Sequence, residues 1–293
     1  MDNWHGFNRQ YVPTNHGRIA AFMRHGTGPA IIFLHGNSFS GEVFSSLVND
    51  SMLAGLPIVV PDFPGHGLSD NSPTPGQTYN YTGFGDCVAQ LATALNLKTY
   101  MIFGWSLGGQ VAIEMLDRAE GLIGVATCGS AIVPRGPLGL INGFHFTRDL
   151  LLAGKSMFKA AEAVRFADLC TPKSISSNFV ETILRADSAM RPALSKASAF
   201  GKGRDQRAVI AGTQMPVYAM LGENDPFIRA DSFAKVTGPS LFGGKPQLFT
   251  GSGHAPFLEN PASFARRLAL FYRHVEDRAK LANKGEEQLR LAS

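Results

Sequence analysis

The sequence predicts an α/β fold, with a mostly parallel β-sheet that carries helices on both faces and an inserted helical lid. Short apolar runs alternate with helical patterns from the start of the chain. This alternation stops at Pro134, and a stretch rich in Phe, Leu, Met and Ala follows before strands resume. We therefore predict a core domain of residues 1–133 and 213–276, a lid segment of residues 134–212, and a charged C-terminal tail of residues 277–293.

Each predicted element follows from a local pattern. The strands are short apolar runs bounded by Gly, Pro or polar residues, at 18–24, 30–34, 57–60, 99–104, 122–129, 216–221 and 246–249. The helices show apolar residues three and four positions apart, as do Phe84, Val88, Leu91 and Leu95. The predicted helices are 82–96, 110–119, 158–169 and 262–275.

Composition predicts a globular protein without a nucleic-acid or membrane partner. The chain has 293 residues, 44% of them apolar, which is enough for a substantial core. Its apolar runs are much shorter than the roughly 20 residues that span a bilayer. The N-terminus lacks the basic and apolar regions of a secretory signal, so we expect a cytoplasmic location. The formal charge is only +4, with basic residues interspersed among acidic ones.

Neither disulfides nor metal sites are expected. Cys87, Cys128 and Cys170 are odd in number, widely spaced and without a CxxC pair, so we expect three reduced, structural cysteines. The HxHxDH and HExxH patterns of metal-dependent hydrolases do not occur in the sequence. We predict no metal and no other cofactor.

The stretch FGWSLGGQ predicts a nucleophile. Residues 104–108 match G-x-S-x-G, a pattern that is weak evidence alone because glycine and serine are common. Here a predicted strand ends at Gly104 and a helix begins just after Ser106, which is the setting of a nucleophile elbow. In that turn the serine has a strained backbone, and its hydroxyl projects at the carboxyl edge of the sheet.

A serine hydroxyl needs a base to remove its proton. Among eight histidines, His254 has the best position, in the glycine-containing loop GSGHAPF just after the last predicted strand. His35 and His66 lie in HG and GHG turns, where we interpret them as residues whose hydrogen bonds order the loops. His254 is therefore the predicted base.

The histidine in turn needs a carboxylate to fix its tautomer. The loop GENDPF after the strand at 216–221 offers Glu223 and Asp225. We favour Asp225 because it lies further into the loop, with Glu223 as the alternative. The resulting chain order of serine, acid and histidine is that of α/β-hydrolases.

The negative oxygen of a tetrahedral intermediate needs hydrogen-bond donors. The backbone N–H of Leu107, directly after Ser106, is one predicted donor. The loop HGNSFSG after the strand at 30–34 supplies the second, which we assign to the N–H of Asn37. The side chain of Asn37 is also a candidate for the pocket.

Five loops in this order, FLHGNSFSG, PDFPGHGLSD, FGWSLGG, LGENDPF and GSGHAPF, resemble those of the α/β-hydrolase family over about residues 17–275. The segments HGRIA, HGNSFSG, FGWSLGGQVAIEM and GHAPF are most similar to the serine-dependent N-acyl-homoserine lactonases, which open the lactone ring of bacterial quorum-sensing signals. The resemblance implies a metal-free triad of Ser106, Asp225 and His254. The acid of such lactonases can be glutamate, and either carboxylate can orient the histidine.

The lid segment is predicted to form the substrate pocket together with the loop HGNSFSG, which we call the oxyanion loop. The candidate substrate-binding residues are Phe39, Phe144, Phe146, Met157, Phe158 and Phe166, with Trp105 a weaker candidate. The expected partner is a small acyl lactone or ester. Two alternatives remain: a carboxylesterase or carbon–carbon bond hydrolase with the same triad, and a hydrolase-fold receptor that binds a ligand with little turnover.

Overall fold

The computed structural model describes residues 4–292, and the described strands form one eight-stranded sheet. The order is β1-β2-β4-β3-β5-β6-β7-β8, and β2 runs antiparallel to both of its neighbours while the remaining pairs are parallel. The predicted α/β class with a mostly parallel sheet is therefore confirmed. The strands are β1 Asn8–Thr14, β2 Gly17–Arg24, β3 Ala30–Leu34, β4 Ile58–Pro61, β5 Tyr100–Trp105, β6 Leu122–Cys128, β7 Val217–Gly222 and β8 Gln247–Phe249.

Helices connect most of these strands. They are α1 Ser45–Val48, α2 Pro75–Thr78, α3 Tyr81–Ala94, α4 Leu107–Met115, α5 Pro137–Gly143, α6 Ala160–Cys170, α7 Val180–Arg185, α8 Met190–Ala199, α9 Gln206–Gly212, α10 Ala230–Phe233, α11 Pro256–Glu259 and α12 Pro261–Ala292. Short 3-10 helices occur at Gly41–Phe44, Ser51–Leu53, Leu150–Gly154 and Ser176–Phe179. No helix in residues 4–292 combines the length and apolar character needed to cross a membrane.

The centre of the sheet is buried on both faces. Every residue of β3, β4, β5 and β7 is buried, as expected for parallel strands covered by helices. Helix α3 buries Phe84, Val88 and Leu91 against this core, while Leu95 is half-buried at its end. All residues of α4 are buried, so the helix that follows Ser106 is enclosed on every side. Burial of each large apolar side chain contributes about 1.5–3 kcal/mol, which makes these elements a rigid support.

Strand β1 was not predicted from the sequence. It pairs with β2 across the turn at residues 14–17, at the edge of the sheet. Only Val12 of its seven residues is buried. An edge strand exposed on both faces lacks the alternation of apolar and polar residues on which the prediction depended, and Pro13 argues against a strand. The turn residues of TNHG are the signal that could have revealed this hairpin.

The chain between β6 and β7 contains helices α5 to α9 and, among its described residues, no strand. This agrees with the helical character predicted for the lid segment, although its exact limits stay a prediction. The backbone of α12 remains helical through Ala292, so the region predicted as a tail from residue 277 continues the helix begun at Pro261. Ser293 lies outside the described residues.

Asp62 joins two loops at the carboxyl edge of the sheet. Its carboxylate accepts hydrogen bonds from the N–H of Gly41 at 2.7 Å and from the N–H of Leu68 at 2.8 Å. Burial raises the pKa of Asp62 to about 6, although both hydrogen bonds act in the opposite direction. The loop after β3 is thus held to the loop after β4 through one buried acid.

Two buried histidines order the same loops. His35 accepts a hydrogen bond at Nε2 from the N–H of Phe63 at 2.9 Å, so its proton lies on Nδ1, which donates to the Gly36 carbonyl at 2.8 Å. The ring of His66 lies 5.0 Å from that of His35 and has Nδ1 3.0 Å from the Pro64 carbonyl. Burial lowers the pKa of His35 to about 4 and that of His66 well below its ordinary value.

The lowered pKa values of His35 and His66 predict that the protein loses stability in acid. Unfolded histidine takes up a proton near pH 6.5, whereas folded His66 resists it, so its contribution is fully present above pH 6.5 and is lost as the pH falls. We expect the free energy of unfolding to fall less between pH 7.5 and pH 5 in His66→Gln than in wild type, by up to about 2 kcal/mol.

Urea denaturation of both proteins at the two pH values tests this. Asp62 has the opposite effect on stability, because its raised pKa means that protonation of its buried carboxylate in acid favours the folded state. It is present in both proteins, so its effect cancels in the comparison. An equal pH dependence of wild type and His66→Gln would contradict the assignment.

Candidate active site

Ser106 lies in a strained turn between β5 and α4. Its φ of 52° and ψ of −114° are a combination that residues other than glycine rarely adopt. Two hydrogen bonds hold the turn: the Ser106 N–H donates to the Cys128 carbonyl at 2.8 Å, and the Ser106 carbonyl accepts from Ser130 Oγ at 2.8 Å. The side chain is consequently directed away from the strand, at the carboxyl end of β5.

Glycines allow this turn because neighbouring backbone approaches them closely. A Cβ atom on Gly108 would lie 2.0 Å from the carbonyl oxygen of Leu34, and one on Gly104 would lie 2.3 Å from the carbonyl oxygen of Gly108. Both distances are too short for any side chain. The two glycines of the pattern thus let α4 start directly against β3 and β5.

Asp225 and His254 form a buried pair. Nδ1 of His254 lies 2.7 Å from Oδ2 of Asp225, and both side chains are almost completely shielded from solvent. The other carboxylate oxygen of Asp225 accepts the N–H groups of Phe227 at 2.8 Å and Ile228 at 2.9 Å. These donors stabilise the buried negative charge and leave Oδ2 directed at the imidazole.

Glu223, the alternative acid in the sequence prediction, lies elsewhere. It is exposed and accepts a hydrogen bond from the N–H of Gly251 at 3.0 Å. It follows β7 immediately, and its side chain supports the loop that leads to His254. Of the two acids in this loop, Asp225 is therefore the one bonded to the histidine.

The loop around His254 is fixed by aromatic residues. The indole N–H of Trp105 donates to the His254 carbonyl at 2.9 Å. The imidazole packs edge-on against Phe227, with 4.9 Å between ring centroids, and lies 5.5 Å from the ring of Trp105. Since Trp105 directly precedes Ser106, the indole links the histidine loop to the elbow.

Leu107 and Asn37, whose N–H groups are the predicted oxyanion donors, line the same cavity as Ser106. Leu107 is the first residue of α4, where a backbone N–H has no acceptor within the helix. Asn37 borders the same cavity as Ser106, but its side chain is directed to the lid segment. Its Nδ2 donates to the Ala153 carbonyl at 2.9 Å, and its Oδ1 accepts from Ser38 Oγ at 2.9 Å. The amide side chain of Asn37 is thus engaged in other hydrogen bonds, and its backbone N–H remains the predicted donor.

A cavity of about 850 Å³ opens at Ser106 and His254. The sequence-predicted residues Phe39, Phe144, Phe146 and Phe166 line it, as does Trp105. Apolar side chains from the lid segment form much of the remaining wall, including Leu140, Leu150, Leu151, Leu152 and Leu194. A cavity of this size and character fits an apolar acyl chain better than a highly charged ligand.

Two predicted lining residues lie outside this wall. Met157 is 73% exposed and directed to solvent. Phe158 is half-buried behind the wall, with its ring 5.4 Å from that of Phe166 and beneath the guanidinium of Arg191. Both precede α6, where helical periodicity no longer specifies which way a side chain points.

Several lining residues were not predicted. Tyr81, Gln110 and Ser198 add polar groups to the wall, and Phe227 covers His254. Gln110 is one turn of α4 beyond Ser106, a spacing that could have identified it from sequence. The contribution of Tyr81 depends on how α3 packs against the lid segment, which no local pattern specifies.

The three cysteines are unpaired and buried. Burial raises the pKa of the Cys87 thiol to about 12 and moves those of Cys128 and Cys170 well above the ordinary value. Within residues 4–292, no group of three or more His, Cys, Asp or Glu side chains is arranged to hold a metal ion.

The sequence model of the Alpha/beta hydrolase family matches residues 31–267, which include the elbow, Asp225 and His254. The chain belongs to the alpha/beta hydrolase family. Among curated relatives of this hydrolase, the AB hydrolase superfamily protein YisY of Bacillus subtilis is 26% identical over 264 residues, covering 84% of this chain and 92% of the relative. A pimeloyl-[acyl-carrier protein] methyl ester esterase of Xanthomonas oryzae pv. oryzae is 26% identical over 260 residues, covering 85% and 97%.

Solved structures include a more similar hydrolase. The N-acyl homoserine lactonase AidH, in complex with N-butanoyl homoserine, superposes with a TM-score of 0.88 at 31% identity, covering 92% of this chain and 97% of that one. The esterase RhEst1 from Rhodococcus sp. ECU1013 has a TM-score of 0.73 at 19% identity, covering 92% and 99%, and shares the fold. The predicted resemblance to the α/β-hydrolases, and within them to the lactonases, is confirmed.

The two acids of this hydrolase provide a matched pair of variants. We expect Asp225→Ala to lower kcat by about a thousandfold, because His254 loses the group that fixes its tautomer. Glu223→Ala should keep kcat within about threefold of wild type, since Glu223 is exposed. Steady-state hydrolysis of a p-nitrophenyl ester measures both, and the reverse ranking would exclude Asp225 as the acid.

Proposed function

We propose that this protein is a serine hydrolase that opens the lactone ring of N-acyl-homoserine lactones. The observation that carries the proposal is that the strained Ser106 lines the same largely apolar cavity as His254, which is hydrogen-bonded to the buried carboxylate of Asp225. The similarity to AidH, whose solved complex holds N-butanoyl homoserine, supports the lactone as substrate.

In the proposed first step, Ser106 Oγ attacks the lactone carbonyl carbon while Nε2 of His254 takes the hydroxyl proton. Asp225 stabilises the resulting imidazolium through the bond at Nδ1. The N–H groups of Asn37 and Leu107 stabilise the tetrahedral oxyanion. The intermediate collapses as the carbon–oxygen bond of the ring breaks, and His254 protonates the departing oxygen.

The leaving alcohol stays attached to the acyl group because both belong to one ring. The acyl-enzyme therefore carries the complete substrate, including its new hydroxyl, and a water molecule must reach the ester with that hydroxyl still present. His254 activates this water, which attacks the carbonyl carbon, and Ser106 leaves with the proton from His254. One water is consumed and one N-acyl-homoserine is released. A cavity of about 850 Å³ offers room for the chain and the opened ring together.

The first test is ring opening measured by mass spectrometry with N-acyl-homoserine lactones of several chain lengths. We expect wild type to add one water to the substrate and Ser106→Ala to lose at least about a thousandfold of this activity. Treatment with a chelator should leave the rate unchanged, because no step of the proposed mechanism uses a metal.

Other outcomes select among the alternatives. Cleavage of aryl esters through Ser106 without lactone opening would indicate a carboxylesterase or a carbon–carbon bond hydrolase. Tight lactone binding with negligible product would indicate a receptor. Lactone opening that Ser106→Ala retains would exclude the serine mechanism.

Chain-length preference tests the assignment of the cavity wall. Phe144→Trp should narrow the cavity and lower kcat/KM for dodecanoyl-homoserine lactone about tenfold more than for the butanoyl compound. Met157→Trp is the matched control, since Met157 is 73% exposed and outside the wall. Equal effects of the two substitutions on the ratio of kcat/KM values would show that the acyl chain lies elsewhere.

A further inference from the structure

Arg191 is a buried cation that forms no salt bridge, although the negative charge of Asp187 acts on it and favours its protonated form. It is 1% exposed, and none of the salt bridges in the described part of the chain includes it. Burying an unpaired charge is costly unless hydrogen bonds compensate it. The described mechanism does not use Arg191, and it is not among the residues that line the cavity. Its retention in the interior therefore calls for a different role.

The guanidinium is satisfied by neutral oxygens from two separate parts of the molecule. Nε and Nη2 donate to the carbonyls of Lys155 at 2.5 Å and Ser156 at 2.7 Å, both in the lid segment. Nη1 donates to Ser38 Oγ at 2.9 Å, in the loop after β3. The ring of Phe158 lies 4.3 Å from the guanidinium carbon and provides a further favourable contact. One side chain thus bonds the lid segment to the oxyanion loop.

The hydrogen bonds that join Arg191, Ser38, Asn37 and residues 153–156 form a closed ring, which we call the circuit. The donor and the acceptor of each bond in it are fixed. Arginine can only donate, so Ser38 Oγ accepts from Arg191 and is free to donate its own proton to Oδ1 of Asn37. The Asn37 amide is thereby oriented with Nδ2 toward the Ala153 carbonyl, to which it donates. Ala153 and Lys155 belong to one short stretch of the lid segment, which brings the circuit back to Arg191.

Backbone strain lies within this circuit. Ser38 has a φ of 69°, in the left-handed region that non-glycine residues rarely adopt. The peptide that joins Asn37 to Ser38 is therefore held in an unusual conformation by contacts on both sides. An oxyanion donor must be placed within about half an ångström to be effective. Any loosening of this circuit would displace the Asn37 N–H.

We infer that Arg191 is a positioning residue for the oxyanion hole, and that it fixes the Asn37 N–H by tying the oxyanion loop to residues 153–156 of the lid segment. This inference rests on the proposed serine mechanism but not on the lactone as substrate. Arg191 acts on the transition state through Asn37, so its loss affects turnover more than substrate binding.

The test compares Arg191→Gln, Arg191→Lys and Ser38→Ala with a matched control. Arg185→Gln is that control, because Arg185 also joins the lid segment to a core loop, through Ser69 and Asn71, but at a distance from the cavity. The readouts are kcat and KM for p-nitrophenyl acetate and for N-hexanoyl-homoserine lactone, together with Ki for a boronic acid. Boronic acids form a tetrahedral adduct with the serine and place an oxygen in the oxyanion hole.

We expect Arg191→Gln to lower kcat by about tenfold or more, with KM within about threefold of wild type, and to raise the boronate Ki by a similar factor. Arg191→Lys should recover part of the loss, because lysine keeps the charge and some donors. Ser38→Ala should show a smaller loss of the same kind, and Arg185→Gln none. A general loss of folded enzyme would lower kcat without changing Ki.

A folded Arg191→Gln with wild-type kcat and Ki would overturn the inference. If that variant does not fold, Ser38→Ala decides, because it removes the hydroxyl that connects Arg191 to Asn37 and leaves the two bonds of Arg191 to the lid segment in place. An unchanged Ki would then overturn the inference. Failure of the lactone proposal gives a different pattern: wild type cleaves the aryl ester but not the lactone, and the effects of Arg191 remain measurable on the ester.

Discussion

The backbone conformation of Ser106 is the constraint on which the rest of the site depends. A conformation of this kind costs about 1–3 kcal/mol and persists only where the surroundings enforce it. Here β5 fixes the chain before the serine, and the fully buried α4 fixes the chain after it. The contact of Gly108 with the Leu34 carbonyl joins this turn to the strand that leads into the oxyanion loop. One packed unit therefore places both the proposed nucleophile and the proposed oxyanion donors.

A second requirement is that the buried negative charge of Asp225 be stabilised before the substrate binds. The two N–H groups at Oδ1 of Asp225 and the imidazole at Oδ2 satisfy its carboxylate. Among the described residues, no lysine or arginine forms a salt bridge with it. A cationic partner would compete with the imidazolium that forms in the proposed reaction. The polar backbone groups stabilise the carboxylate while leaving its interaction with His254 intact.

Sequence predicted the central strands and the order of the site loops well, because glycines, buried strands and polar loop residues follow local rules. Ala30–Leu34 was predicted with its observed bounds, and the other central strands within about two residues. The pairing of His254 with Asp225 rather than Glu223 was also anticipated, from loop position. Met157 and Phe158 do not line the cavity, and their orientation could not be read from sequence because residues before a helix have no fixed periodicity. The sequence carries no signal for the contacts of Arg191, because two of its three hydrogen-bond partners are backbone carbonyls and the third, Ser38, is distant in the chain.

The cavity combines two kinds of wall with different origins along the chain. The proposed catalytic residues lie in loops that are far apart in the sequence, and the sheet brings these loops together at its carboxyl edge. Much of the apolar wall comes from one continuous stretch, inserted once between β6 and β7. Changes confined to that stretch can alter which molecules fit while the elbow stays intact. Within this architecture a new specificity is accessible by remodelling a single contiguous part of the gene, provided that the contacts to Ser38 and Asn37 are preserved.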